Sequence, residues 1–300
     1  MKSMLITGGT VFVSRYAAEY FAGRNWHVSV LNRGSRPQSQ GVTLIKSDRH
    51  ALGDILRGKY FDAVLDITAY NCSDVHCLLD ALGGFGDYIL LSSSAVYPEY
   101  TPSPFCEHSP TGENSVWGNY GVDKIAAENA LAARFPDGYI IRPPYLYGPM
   151  NNLYREAFVF ECALADREFF VPGKGDMPLQ FFYIEDLCRF MELILEQRPS
   201  RHVFNTGNPQ SITVRRWAEM CYRAAGKTAC IREVHSPIPQ RSYFSFYDYA
   251  YKLDVAAQCS LMPQLTGMED GLQRSFEWYA SNRDLIIRKP LIEFIDRELR

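Results

Sequence analysis

Short apolar runs recur through the first half of the chain, at residues 4–6, 28–31, 42–45, 63–67, 88–91 and 139–141, each bounded by turn residues. Continuous runs of this length predict strands buried on both faces of a parallel sheet. Between them, residues 16–22, 75–82 and 120–133 place apolar side chains at helical spacing. Strands alternating with helices predict an α/β fold, a Rossmann-like doubly wound parallel sheet. Such sheets take ligands at the carboxyl ends of their strands.

After about residue 143 the rhythm weakens, and proline and glycine become frequent: Pro149, Pro172, Gly173, Gly175, Pro178, Pro199 and Pro209. A smaller, loop-rich C-terminal lobe is expected, with helices at 185–195 and 213–225. The run at 203–205 reads as a strand returning to the main sheet, so the boundary is interleaved: 1–150 forms the first domain, with later segments returning to it, and 151–300 is mostly the second. An apolar helical stripe at Leu291, Ile292, Ile295 and Leu299 closes the chain.

The 300 residues are 47% hydrophobic and 22% charged, which excludes a disordered or collagenous chain. At this length the core needs no disulfide staple. Lys and Arg number 31 against 34 Asp and Glu, and the net charge of -3 gives no global attraction to nucleic acid or an anionic membrane. The eight cysteines are scattered without a C-x-x-C pair, so free thiols and no metal site are expected. No apolar stretch approaches a membrane span, and the run at the start is too short for a signal peptide; a reducing cytoplasm is the expected location.

Three features carry candidate chemistry. Gly8 and Gly9 end the first predicted strand just before a helix, where backbone N–H groups meet a pyrophosphate in dinucleotide sites; an ordinary tight turn uses glycine for positive φ as well. Tyr120 and Lys124 are four residues apart on one helical face, a spacing at which an ammonium favours the phenolate and makes tyrosine a usable acid/base. Most such pairs are surface helix neighbours. The third feature is Ser92-Ser93-Ser94, hydroxyls at the end of an apolar strand, which equally serve loop backbone groups.

Together these segments resemble the extended short-chain dehydrogenase/reductase superfamily, the branch of NAD-dependent nucleotide-sugar epimerases, dehydratases and reductases. The resemblance rests on Thr7-Gly8-Gly9-Thr10-Val11-Phe12-Val13-Ser14, on Ser93 four residues before Tyr97, on Tyr120 and Lys124, and on Arg142-Pro143-Pro144-Tyr145-Leu146-Tyr147-Gly148-Pro149. Phe182-Tyr183-Ile184-Glu185-Asp186-Leu187 and Phe204-Asn205-Thr206-Gly207 extend it over nearly the whole chain. The glycine motif is atypical: Val11 and Ser14 stand where the family has its second and third glycines.

The resemblance implies a dinucleotide-binding first domain and a substrate-binding second lobe. It makes Ser93, Tyr120 and Lys124 the catalytic residues of an NAD(P)-dependent epimerase or reductase acting by hydride transfer. The cofactor residues it implies are Gly8, Gly9, Thr10, Phe12, Val13, Asn32, Arg33, Asp48, Arg49, Ala69, Tyr70, Pro143 and Leu146, together with Tyr120 and Lys124. Arg33 and Arg36, in place of an acidic residue after the second strand, favour NADP, with NAD left open. Ser94, Tyr145, Asn152, Gln180 and Arg241 are the implied contacts to a nucleotide sugar or a related carbonyl or hydroxyl substrate. Ser94 and Ala95 replace the acidic pair of the dehydratases, which disfavours 4,6-dehydration. A homodimer through the 120–134 helix is also implied. The alternative is a catalytically weak or inactive relative that binds RNA or senses a cofactor, and the net charge makes nucleic acid the less expected partner.

Overall fold

A computed structural model describes residues 1–300 and divides them into two compact units. The first comprises Met1–Pro144, Ile184–Pro209 and Leu253–Leu265, so it ends its first segment at residue 144 rather than 150 and takes back two later ones.

Its centre is a seven-stranded, all-parallel sheet: β1 (Ser3–Thr7), β2 (His27–Asn32), β3 (Thr43–Lys46), β4 (Tyr60–Asp66), β5 (Gly84–Leu91), β6 (Tyr139–Arg142) and the returning β7 (Val203–Asn205). The spatial order is β7-β6-β5-β4-β1-β2-β3, which reverses direction between β4 and β1. That reversal is the switch point at which doubly wound sheets open a crevice for ligands. The strands are apolar on both faces because helices cover both: Met4, Leu5, Ile6, Val28, Val30, Ala63, Val64 and Leu65 are fully buried. Each of the larger ones contributes about 1.5–3 kcal/mol relative to exposure, the methyl of Ala63 less.

Four helices matter to the site: α1 (Phe12–Ala22), α2 (Cys72–Ala81), α3 (Asn119–Arg134) and α4 (Ile184–Gln197). The α2 start is set by a reciprocal cap in which Asn71 accepts the Asp74 N–H and Asp74 accepts the Asn71 N–H. The α1 start has no side-chain cap. In α4, Ile184, Leu187, Cys188, Met191, Ile194 and Leu195 form the buried stripe that the i, i+3, i+4 spacing requires.

The second unit, Tyr145–Tyr183, Gln210–Lys252 and Thr266–Arg300, has three two-stranded pairings and helices at Glu156–Leu164, Val214–Ala224, Met268–Ser281 and Leu291–Glu298. Its core is aromatic. Trp217, fully buried, stacks on Phe181 at 5.9 Å between ring centres and meets Phe246 edge-on at 5.2 Å. In the closing helix, Leu291 and Ile295 are buried, as the stripe predicts. No helix is long and apolar enough to cross a membrane.

Candidate active site

Lys124 is 2% exposed, one turn into α3 from Tyr120, which is 41% exposed. The lysine's Nζ donates to the carbonyl oxygens of Ala69 at 2.7 Å and Leu91 at 2.8 Å. Those carbonyls lie just past β4 and at the end of β5, so the ammonium sits at the carboxyl ends of two neighbouring strands. Burial pushes Lys124 down to about 8, and the carboxylates of Asp66 and Glu128 act against that fall. Nζ lies 6.0 Å from the Tyr120 ring centre and 5.2 Å from that of Tyr70.

Ser93 follows β5 directly and caps a short 3-10 turn over Ser94–Val96, its Oγ accepting the Ala95 N–H at 3.2 Å. Accepting there leaves the hydroxyl hydrogen to donate to a ligand oxygen. The Ser94 N–H donates to the Pro143 carbonyl at 2.9 Å, which fixes the turn against the segment after β6. Gly121, beside Tyr120, packs against the Ala95 carbonyl. The structure therefore gathers Ser93, Tyr120 and Lys124 at one end of the sheet.

A buried polar chain braces that end. Glu128, one turn beyond Lys124, accepts Arg142 Nε at 2.9 Å and Nη2 at 2.5 Å, and Ser92 donates its hydroxyl to the same carboxylate. Arg142 Nη1 also meets Tyr97 Oη at 2.8 Å and the Glu107 carbonyl at 3.1 Å; Tyr97 in turn donates to Asn205 Oδ1 at 2.7 Å. Glu128 and Arg142 are each about 5% exposed, and the strong desolvation of both charges is offset by this two-pronged pairing. Their roles are absent from the sequence reading, although Glu128 continues the four-residue spacing of Tyr120 and Lys124.

The first turn is built for close approach. Gly8 and Gly9 have φ of +95° and +94°; a Cβ on Gly8 would lie 2.7 Å from Ser14 Oγ, and one on Gly9 would lie 2.4 Å from Val30 Cγ1. Val11 has extended backbone (φ -138°, ψ 137°), so no glycine is required there, and its side chain is directed outward, 36% exposed. Ser14 donates its hydroxyl to the Val11 carbonyl at 3.0 Å, closing the turn from within. Phe12 is buried, with φ of +32°, while Thr10 and Val13 are half-buried. The N–H groups at the uncapped α1 start are thus available to an anion.

Asn32 is hydrogen-bonded within the protein. Its Nδ2 donates to the Gly8 carbonyl at 2.6 Å and to Gln38 Oε1 at 3.0 Å, and its Oδ1 accepts the Gly34 N–H at 2.8 Å. It braces the β1 and β2 loops against each other. Arg33 and Arg36 are exposed in the same loop and make no ion pair. Asp48 is exposed and closes a turn on the His50 N–H at 2.9 Å. Arg49 turns inward: Nη2 meets Asp66 Oδ2 at 2.5 Å, Nη1 meets Thr68 Oγ1 at 3.2 Å, and Nε meets the Asp74 carbonyl at 3.0 Å. Asp66, fully buried, also accepts Thr7 Oγ1 at 2.8 Å and Tyr88 Oη at 2.6 Å. Arg49 is therefore a brace under the crevice. Tyr70 is 54% exposed beside it. Taken together, the glycine turn, the uncapped helix, the exposed arginines and the buried lysine fit a dinucleotide.

The second-lobe residues divide. Tyr145 is buried among Phe181, Phe246 and Tyr251, and burial pushes its hydroxyl up to about 12; Gln180 is 1% exposed. As they stand, both belong to the core of the second unit rather than to an open surface. Asn152 is 8% exposed, and its carbonyl accepts the Ile287 N–H. Leu146, expected at the cofactor, is half-buried in a strand of this unit. Arg241 lines an open groove of about 400 Å³ with Lys289 and Arg297. Burial, with Arg241 and Arg155 nearby, lowers the Lys289 pKa, and Glu293 lines the same groove.

Residues 71–207 match the NAD dependent epimerase/dehydratase family. The chain is 27% identical over 244 residues to the chloroplast stem-loop binding protein of 41 kDa b of Arabidopsis thaliana, covering 75% of this chain and 64% of that one. It is 26% identical over 227 residues to GDP-L-fucose synthase 1 of the same plant, covering 66% and 65%. The matched region thus spans just under two thirds of either relative. The fold is shared with dTDP-glucose 4,6-dehydratase of Bacillus anthracis, solved in complex with NAD: the TM-score is 0.75 at 17% identity, over 97% of this chain and 100% of that one.

Proposed function

We propose, from the match of residues 71–207 to the NAD dependent epimerase/dehydratase family and from the fold shared with an NAD-bound dehydratase, that the chain is an NAD(P)-dependent epimerase or reductase of a nucleotide sugar. The observation that carries this reading is Lys124, a buried ammonium on two strand-end carbonyls, one turn from an accessible Tyr120. Nothing in the packing of a simple helix requires a lysine there, since burying the charge lowers its own affinity for a proton.

Bound NAD(P) would supply the hydride acceptor or donor. Gly8, Gly9 and the start of α1 would hold its pyrophosphate, Arg33 and Arg36 would favour NADP by meeting its 2′-phosphate, and Lys124 would meet a ribose hydroxyl. Ser93 donates to the substrate oxygen, and Tyr120 moves a proton to or from that oxygen, its phenolate favoured by the positive charge of Lys124. Arg241, Lys289 and Arg155 concentrate positive charge in the second unit, as a diphosphate substrate requires. The names of the relatives, a GDP-L-fucose synthase and a dTDP-glucose dehydratase, support the same substrate class. The reading as a non-catalytic RNA binder is not favoured, since the chain keeps all three reacting groups and a net charge of -3.

The test is titration of the purified protein with NADPH, NADH, NADP and NAD, followed by turnover assays with nucleotide sugars. The expected result is micromolar binding that survives Tyr120→Phe, together with turnover that does not. Absence of binding at millimolar cofactor overturns the proposal.

A further inference from the structure

Outside the candidate active site, two side chains of α2 and one from the segment after β3 line up on the surface of the first unit. Cys77, half-buried on α2, places Sγ 3.8 Å from His50 Nδ1. The other ring nitrogen, Nε2, lies 3.2 Å from Asp74 Oδ1. Asp74 is 5% exposed and cannot swing away, because its second oxygen caps α2 by accepting the N–H groups of Tyr70 at 2.7 Å and Asn71 at 3.2 Å. The backbone of His50 is pinned in turn by the Asp48 carboxylate.

This order of groups has a chemical consequence. A carboxylate facing Nε2 keeps the imidazole proton on that nitrogen, which leaves the Nδ1 lone pair aimed at the thiol. Thiolate is the reactive form of cysteine, and the facing nitrogen gives the thiol proton an acceptor in place. Ser73 Oγ lies 3.9 Å from the sulfur, one turn earlier on the same helix face. Arg49 also approaches Asp74, at 3.6 Å, so the carboxylate is shared between a guanidinium and the imidazole.

We propose that Cys77, His50 and Asp74 form a nucleophilic thiol site that takes low-molecular-weight disulfides. Cys77 passes its proton to His50 Nδ1, and the resulting thiolate attacks one sulfur of the disulfide R–S–S–R. The S–S bond breaks, a Cys77–S–S–R bond forms, and the other half leaves as R–S⁻, which collects a proton. Cys77 is oxidised and the departing half is reduced, so the electrons balance without a further reagent.

Cys72, exposed five positions earlier on the same helix and without a histidine, is the internal reference. The experiment is to react the protein with 2,2′-dithiodipyridine at pH 7 and to follow modification of each cysteine-containing peptide over time by mass spectrometry. Cys77 is expected to react at least about tenfold faster than Cys72 despite its lower exposure. In His50→Gln the Cys77 rate should fall to that of Cys72 or below, while the Cys72 rate stays put and reports an intact α2. Equal rates in the parent protein, or a Cys77 rate indifferent to His50→Gln, overturns the proposal. The readout involves neither cofactor nor substrate, so it stands or falls apart from the proposed enzymatic activity.

Discussion

Gly121 lies so close to Ala95 that a Cβ on the glycine would sit 2.3 Å from the Ala95 carbonyl oxygen. The separation between the turn holding Ser93 and the helix holding Tyr120 is therefore fixed by backbone against backbone. Gly121→Ala must push the two apart. The expected outcome is a folded protein, destabilised by about 1–3 kcal/mol in urea melts, whose kcat/KM falls about 10²-fold through misplacement of the reacting groups. Unchanged kinetics would show that the contact has no part in positioning.

Lys124 makes stability depend on pH. Its pKa falls from the ordinary 10.5 to about 8 on folding, through burial. Below pH 8 both states hold the proton and the folded state bears the full cost, about 3 kcal/mol at 1.36 kcal/mol per pH unit. Between pH 8 and 10.5 the unfolded chain binds a proton that the native one has released, so this contribution to stability rises with pH. Denaturant melts of the parent and of Lys124→Met should differ by an amount that is flat below pH 8 and then shifts by about 3 kcal/mol in the parent's favour up to pH 10.5. A difference that stays constant across pH 7–10.5 would contradict the buried, lowered lysine.

Glu128→Ala leaves Arg142 buried without its carboxylate. A loss of about 3–5 kcal/mol is expected in urea unfolding, and a Glu128→Leu, Arg142→Met double variant should recover most of it. A single variant that costs under about 1 kcal/mol would mean that the pair is open to water.

Arg33→Ala and Arg36→Ala test cofactor choice. Each should weaken NADPH binding about tenfold or more, the worth of a charge-assisted bond to phosphate. NADH binding should not move. Calorimetric titration separates the two, and equal losses for both cofactors would remove the 2′-phosphate from the account.

The sheet was readable because its strands hold uninterrupted apolar runs: each predicted run overlaps one of β1–β6, although β4 and β5 begin three and four residues earlier, at Tyr60 and Gly84. The returning strand was readable too, from three residues. The paired strands of the second unit were not: Tyr145–Tyr147 with Phe181–Tyr183, and Pro178–Leu179 with Ile212–Thr213, are two or three residues long and find partners tens of residues away. Local pattern carries no signal for such contacts. At the site, residue types and spacings exposed Tyr120 and Lys124, whereas bracing depends on where side chains turn. Asn32 and Arg49 face inward to backbone and carboxylate partners, and Tyr145 joins an aromatic core, for reasons set by neighbours remote in sequence. The substitution at Val11 reads as a defect in the motif, yet its backbone is in a conformation open to any residue.

An ammonium has three N–H bonds, and Lys124 spends two of them on Ala69 and Leu91. One is left. Whichever ligand first brings an acceptor within reach takes it, and a later arrival finds only the charge. If that acceptor is a cofactor hydroxyl, Lys124 has no donor left for a substrate oxygen, which is then left to Ser93 and Tyr120 and meets Lys124 only as a charge.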